Sequence, residues 1–212
     1  MNYKTVYGFA KGTYTEKKSE FIGQIAPVRT AEQAMAFVEK IKSENRKARH
    51  NVYAYVVREG NVSRYSDDGE PQGTGGVPVL DVINKAGLTD VCVVVTRYFG
   101  GVLLGANGLV RAYSQACSLA IADADILNMY ECSMLIFSCD YNLYGKIKYI
   151  LPDFEVITES EDFADTVGMI LLVKTELADA FVKKLTDISN GQLEIEIKKG
   201  MWSDFSEYSN NA

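Results

Sequence analysis

Apolar positions change their period several times along this chain, and each change marks an element. YGFAKGTYT and EFIGQIAPV open it as strands, with Phe21, Ile22, Ile25 and Val28 apolar in the second. Thr30-Ala31-Glu32-Gln33 has the form of a capping box. Ala34, Phe37, Val38 and Ile41 follow at helical spacing, which predicts an amphipathic helix over 31–45. NVYAYVVR, at 51–58, is rich in β-formers and predicts a strand. Glu59-Gly60-Asn61 reads as a hairpin turn into VSRYS. A short helix is expected over 77–85, ending at Gly87. VCVVV, at 91–95, is an unbroken apolar run between turn residues and predicts a strand buried on both faces. Gly100-Gly101 ends it. From about 104 to 124, Leu109, Tyr113, Ala116, Cys117, Ala120, Ile121 and Ala124 fall on one stripe of a long helix.

Beyond a boundary near 126–130 the pattern starts again. Strands are predicted at 132–138, 154–158, 167–173 and 193–197, and helices at 143–150 and 177–186. The order βαββαβ is that of a ferredoxin-like domain. Ser160-Glu161-Asp162 reads as an acidic turn, and WSDFSEYSNNA as a loose tail. The chain is thus expected to be α+β, with one domain over 1–127 and a second over 128–212, its ferredoxin-like part at about 131–198.

Composition adds limits. At 212 residues, 47% hydrophobic and 24% charged, the chain suits a soluble globular protein with room for two domains. No apolar run approaches the roughly 18–20 residues that span a bilayer, and no signal peptide precedes the first strand, so a cytoplasmic, membrane-free protein is expected. Cys92, Cys117, Cys132 and Cys139 form no C-x-x-C pair and are expected as free thiols. Cys132 and Cys139 are seven apart in one strand, on opposite faces. Charge is uneven: 15 Lys+Arg against 13 Asp+Glu over 1–127 give +2, and 7 against 15 over 128–212 give −8. Nucleic-acid contact is therefore expected from the first part.

The candidate chemistry lies in two glycine-rich stretches, SDDGEPQGTGG at 66–76 and TRYFGGVLLGANGLVRAY at 96–113. The second leads from a strand through RYFGG to a helix N-terminus, where free N–H groups and the positive dipole end favour anions. Arg97 and Arg111 can add charge-assisted bonds, with the backbone around Gly100, Gly101 and Gly105 assisting, and Thr74 stands on the facing loop. The glycine spacing is neither a dinucleotide fingerprint nor a P-loop. The alternative is that the glycines permit tight strand–helix packing and Arg97 makes a structural ion pair. Asp67, Asp68 and Glu70 read as Mg²⁺ ligands, as a turn with a helix cap, or as partners of Arg64, Arg97 or Arg111.

His50 is the only histidine, which excludes a zinc site with two histidines. It is a candidate acid–base group or a structural hydrogen-bonding residue. Among Tyr53, Tyr55, Tyr65, Tyr98, Phe99 and Tyr113, the rings to test for base stacking are Tyr98 and Phe99, core packing being the other fate. The run Arg46-Lys47-Ala48-Arg49 is a phosphate-contacting edge or a solvated helix end.

HNVYAY, YSDDGEPQGTGG, GLTDVCVVVTRYFGGVLLG and NGLVRAYSQA occur in an order and spacing that resemble the YigZ/IMPACT family over residues 17–125. The matching positions include His50, Ser66 to Glu70, Gly73, Thr74, Arg97 to Gly101, Gly105, Gly108, Arg111 and Tyr113. Val52 stands where members often carry a small residue or cysteine, and Thr74-Gly75-Gly76-Val77-Pro78 varies a family element. The βαββαβ remainder resembles the C-terminal domain of bacterial members, similar to the last domain of elongation factor G. The resemblance implies a ribosomal protein S5 domain 2-like fold for the N-terminal domain and a link to translation. The resemblance implies that this link runs through protein partners in eukaryotic relatives and through nucleic acid or the ribosome in bacterial ones. It brings no cofactor and no settled enzymatic activity. Two functions are therefore expected to compete, with a pure protein-interaction domain that binds partners of the translation machinery as a third. One is a translation-linked binding protein using Arg97, Arg111, Gly100, Gly101, Gly105 and Thr74 for phosphate and Tyr98 or Phe99 for stacking. The other is an enzyme acting on a phosphorylated small molecule through His50, Asp67, Asp68 and Glu70.

Overall fold

A computed structural model describes residues 2–209. The chain divides into two compact units, Tyr3–Leu127 and the residues from Asn128 onward. The first contains β1 (Tyr3–Tyr7), β2 (Ala10–Glu16), β3 (Ser19–Pro27), α1 (Ala31–Glu44), β4 (His50–Val57), β5 (Val62–Ser66), α2 (Gly76–Lys85), β6 (Val91–Tyr98) and α3 (Gly105–Ala122). Its main sheet runs β2-β3-β6-β4-β5, with every neighbouring pair antiparallel.

β6 is central, and its first five positions, Val91 to Val95, are all apolar and buried. Side chains alternate across a strand, so such a run serves two layers. Val91, Val93 and Val95 join Val79 and Ile83 of α2 and Leu109, Tyr113 and Ala116 of α3 in one core. Cys92 and Val94 join Ala34, Val38 and Ile41 of α1 in the other. The apolar stripe of α3 faces inward as its spacing predicts. α3 lies unusually close to β2 and β3: a Cβ on Gly23 would stand 2.2 Å from the carbonyl oxygen of Ala116. At the start of α1, Thr30 Oγ1 accepts from the Gln33 N–H at 3.3 Å. Gln33 Oε1 in turn accepts from the Arg29 N–H at 2.7 Å, one residue before the cap itself.

The second unit contains most of β7 (Asp125–Cys139), then α4 (Tyr141–Ile150), β8 (Ile157–Phe163), β9 (Val167–Lys174), α5 (Thr175–Ile188) and β10 (Glu196–Asp204). Within it the strands lie in the order β10-β7-β9-β8, all antiparallel, which is the ferredoxin-like arrangement. All four cysteines are free and buried. Cys132 packs with Leu172 and Phe205, and Cys139 with the core under α4 and α5, as their odd separation requires.

Several boundaries differ from the sequence reading. The expected strand at 154–158 starts only at Ile157, because Leu151–Phe154 is a turn of 3₁₀ helix. Ser160, Glu161 and Asp162 lie within β8 rather than in a turn, paired with Ile170, Met169 and Gly168. The last strand starts at Glu196 and runs on, so 202–204 is no loose tail: Trp202, Ser203 and Asp204 pair with Glu131, Tyr130 and Met129. Phe205 is fully buried, and burial of a whole ring outweighs the polar composition around it. Residues 210–212 of the expected tail lie outside the described residues. No helix of the described residues is long and apolar enough to cross a membrane.

Candidate functional site

The loop at 66–76 is held by its own carboxylates. Asp67 accepts the N–H groups of Gly73 at 2.8 Å, Gly75 at 2.9 Å and Gly76 at 2.8 Å. Burial pushes its carboxyl up, but the three backbone bonds outweigh burial and hold it below the usual carboxylate range. Asp67 thus stabilises the first turn of α2, whose cap residue Gly75 has no side chain to do so. Thr74 closes the same loop by donating to the Pro71 carbonyl at 2.6 Å.

Asp68 faces the other way. Its Oδ1 accepts from Lys42 Nζ at 2.9 Å and its Oδ2 from the Asn51 N–H at 2.7 Å. The hydrogen bond to Asp68 also raises the Lys42 ammonium above its ordinary value. Glu70 points a third way, into the protein. Its Oε1 lies 2.5 Å from Arg97 Nη1 and accepts from the Tyr113 hydroxyl at 2.8 Å. Burial pushes the Tyr113 phenol well up, with Glu70 adding in the same direction, so it stays protonated as a donor. The three carboxylates therefore diverge into a turn, a lysine pair and a buried arginine pair. Among the described residues no group of three or more His, Cys, Asp and Glu is arranged to hold a metal.

A cavity of about 380 Å³ opens beside this loop. Arg49, His50, Glu70 and Arg97 supply its polar lining, and Pro71, Phe99, Leu103, Leu104 and Leu109 its apolar walls. His50 is placed by β4 with Nδ1 2.8 Å from the Asp68 carbonyl oxygen. A carbonyl only accepts, so Nδ1 carries the proton and Nε2 of the neutral ring keeps a lone pair. That Nε2 is 3.9 Å from Glu70 Oε1. The guanidinium carbon of Arg97 is 5.4 Å from the ring centroid of Phe21 and 5.5 Å from that of Phe99. Its Nε is buried without a hydrogen-bond partner. Gly105 and Ala106, the first turn of α3, also line the cavity, and no side chain caps that helix end.

The expected site residues thus divide. His50, Glu70, Arg97, Phe99 and Gly105 meet at one cavity, whereas Asp67, Asp68 and Thr74 build the loop beside it. Arg111 is not with Arg97: it is two-thirds exposed, outside the cavity lining, and pairs with Glu16 of β2 at 3.3 Å. Tyr98 is also absent from the cavity lining, and its hydroxyl donates to Asn45 Oδ1 at 2.9 Å. Gly100 serves close packing, since a Cβ on it would stand 2.0 Å from the Lys18 carbonyl carbon. Gly101 has φ 85° and no neighbour within 4 Å of a Cβ position, so it serves the turn. Sequence reasoning missed the leucine wall. Leu103 and Leu104 look like core residues in a list of apolar positions, yet Leu103 is 82% exposed at the cavity mouth.

Comparison with known proteins places these residues in a family. The model of the Impact N-terminal domain matches residues 17–121, and that of a domain of unknown function (DUF1949) matches 137–192. Over 196 residues the chain is 35% identical to "IMPACT family member YvyE" of Bacillus subtilis (strain 168), covering 92% of this chain and 90% of that protein. It is 32% identical to "IMPACT family member YigZ" of Escherichia coli (strain K12), covering 84% and 89%. "Protein IMPACT-A" of Xenopus tropicalis is 37% identical over 100 residues, 44% of this chain and 30% of that protein. A solved structure described as "Crystal structure of an hypothetical protein" superposes with a TM-score of 0.59 at 29% identity, covering 92% of this chain and 96% of that one.

Proposed function

The chain belongs to the IMPACT family, and from that premise we propose that it is a translation-linked regulatory protein whose N-terminal unit recognises a phosphate-bearing group, that of RNA, the ribosome or a smaller ligand, in the cavity beside α3. The link to translation rests on the resemblance to IMPACT proteins. The anion preference rests on one observation: Arg97, whose buried Nε has no hydrogen-bond partner, lines a cavity that also receives the uncapped N-terminus of an 18-residue helix. A phosphate oxygen satisfies both kinds of donor at once. Glu70 already neutralises Arg97 in part, so the exposed Arg49 carries the net positive charge of the lining. Phe99 and the leucines provide a wall for a base or another apolar part of the ligand.

The test is a titration with a 5′-phosphorylated single-stranded oligoribonucleotide, followed by amide chemical shifts. Gly105 and Ala106 are expected to shift first, and Arg49→Ala is expected to weaken binding. Unmoved signals from the first turn of α3 at saturation would sink the reading.

One observation favours a second reading. His50 and Glu70 share this cavity with Nε2 and Oε1 3.9 Å apart, and the histidine tautomer is held by the Asp68 carbonyl. That arrangement suits an acid–base group acting on a phosphorylated small molecule. Glu70 and the Asp68 backbone orient His50 in this reading, while the Asp67 side chain belongs to the loop. Turnover found in a metabolite screen and abolished by His50→Ala supports it, and turnover unaffected by that substitution rejects it.

A further inference from the structure

The second unit carries a surface unrelated to the cavity beside α3. From residue 128 onward the sequence holds 7 lysines against 15 carboxylates. Lys148, Lys174 and Lys198 are each neutralised by a glutamate: Glu161, Glu155 and Glu196. Lys146 and Lys184 form no ion pair among the described residues, and both line an open groove between α4 and α5. Asn142, Gly145, Lys146 and Tyr149 step along one face of α4 at three- and four-residue spacing, and Lys184 and Ile188 face them from α5.

Two features of the α4 face have no explanation inside the molecule. Tyr149 is 85% exposed, the highest value among the exposed large hydrophobic side chains of the described residues. Gly145 sits mid-helix, where alanine is favoured, yet a Cβ there would meet nothing within 4 Å. The glycine relieves no internal clash and leaves the helix backbone bare on the groove side.

We propose that this groove docks single-stranded RNA, with Tyr149 stacking on a base and Lys146 and Lys184 contacting the flanking phosphates. Although the unit as a whole sums to −8, the charged residues that line this groove are both lysines and no carboxylate lines it, so the local charge favours an anionic partner there. The exposed ring then selects RNA. A flat aromatic surface beside ammonium groups binds single strands through stacking and backbone charge. An acidic peptide uses the lysines but draws little from the ring. Bare backbone at Gly145 lets a base or sugar approach α4 closely. The groove and the cavity lie in different units, so each proposal can fail without the other.

Fluorescence anisotropy of the full chain with a labelled single-stranded oligoadenylate tests this, with polyglutamate as the competing probe. Tyr149→Ala is expected to weaken RNA binding about tenfold, and Tyr149→Phe to keep it. Replacing both Lys146 and Lys184 with alanine is expected to lower the slope of log affinity against log salt by about 1.4. Gly145→Ala is expected to raise the unfolding midpoint while weakening RNA binding, a combination that a merely structural role does not give. Arg49→Ala leaves the loss caused by Tyr149→Ala unchanged. Unaltered affinity in a folded Tyr149→Ala variant overturns the proposal. So does polyglutamate binding as tight as RNA binding with the same lysine dependence.

Discussion

Nη1 of Arg97 lies 2.5 Å from Oε1 of Glu70, and side chains on both sides of the pair are at least nine-tenths buried. The pair ties β6 to the 66–76 loop, and Tyr113 of α3 completes it. Arg97 is therefore a structural residue whatever else it contacts. Arg97→Ala leaves the Glu70 carboxylate buried without a counter-charge, and a loss of about 3–5 kcal/mol in unfolding free energy is expected. Urea denaturation checks it. A variant whose midpoint matches the parent's contradicts the geometry.

Asp67 makes a pH prediction with a definite sign. Its folded pKa is lowered, so its stabilisation is complete above the unfolded value, at about pH 4, and fades as the pH falls through the folded value. Asp67→Asn is expected to cost about 1–3 kcal/mol at neutral pH, because an amide cannot accept all three backbone bonds. The difference between the two proteins should narrow below about pH 4. Thermal unfolding of both across pH 3 to 7, on either side of about pH 4, measures that convergence.

Gly100 and Gly101 are adjacent and should respond differently to alanine. At Gly100 the new Cβ meets backbone atoms of Lys18 at 2.0 and 2.2 Å, which no side-chain rearrangement relieves. At Gly101 there is open space, and the cost is the left-handed backbone alone, about 1–2 kcal/mol. Gly100→Ala is expected to be the more damaging by a clear margin in expression level and melting temperature. Equal effects would argue against the close approach of β6 to the β2–β3 turn.

Burial raises the Cys92 and Cys117 thiols to about 12 each. A thiolate is the reactive form, so these two sites are expected to resist thiol reagents in the native protein at pH 8 and to react on unfolding in urea. Mass spectrometry after timed labelling reads this site by site.

Phe205 is completely buried against Cys132 and Leu172, edge-on to Tyr130 at a centroid distance of 5.9 Å. Phe205→Ala is expected to cost about 3–5 kcal/mol, comparable with loss of any core ring. A loose tail would show no change, which makes calorimetry decisive here.

Local patterns were legible wherever one physical rule acted alone. The run VCVVV needed two apolar layers and has them, and the stripe from Leu109 to Ala120 became the inner face of α3. Thr30 and Gln33 cap a helix in sequence and in space. The βαββαβ order of the second unit was readable because alternation and helical spacing change cleanly at each turn. The 202–205 segment was misread because its apolar residues, Trp202 and Phe205, are few and scattered among polar ones. A strand at a sheet edge takes its hydrogen bonds from a partner that periodicity does not reveal, here Met129 to Glu131 of β7.

By itself, the sequence determined the elements, the α+β class, the family and the two stretches in which His50, Asp67, Asp68, Glu70 and Arg97 stand. Only the tertiary structure decided what each of these does. Three carboxylates within four positions look like one cluster on paper. In space Asp67 turns to three glycine amides, Asp68 to Lys42 and Asn51, and Glu70 to Arg97 and Tyr113. Arg97 and Arg111 look like a pair, yet one is buried in the core wall and the other paired with Glu16 at the surface. The physical reason is that a side chain's role follows from its direction and its partners. Asp67 finds its partners within its own loop, but those of Asp68, Glu70, Arg97 and Arg111 lie 17 to 95 positions away, which local spacing does not encode.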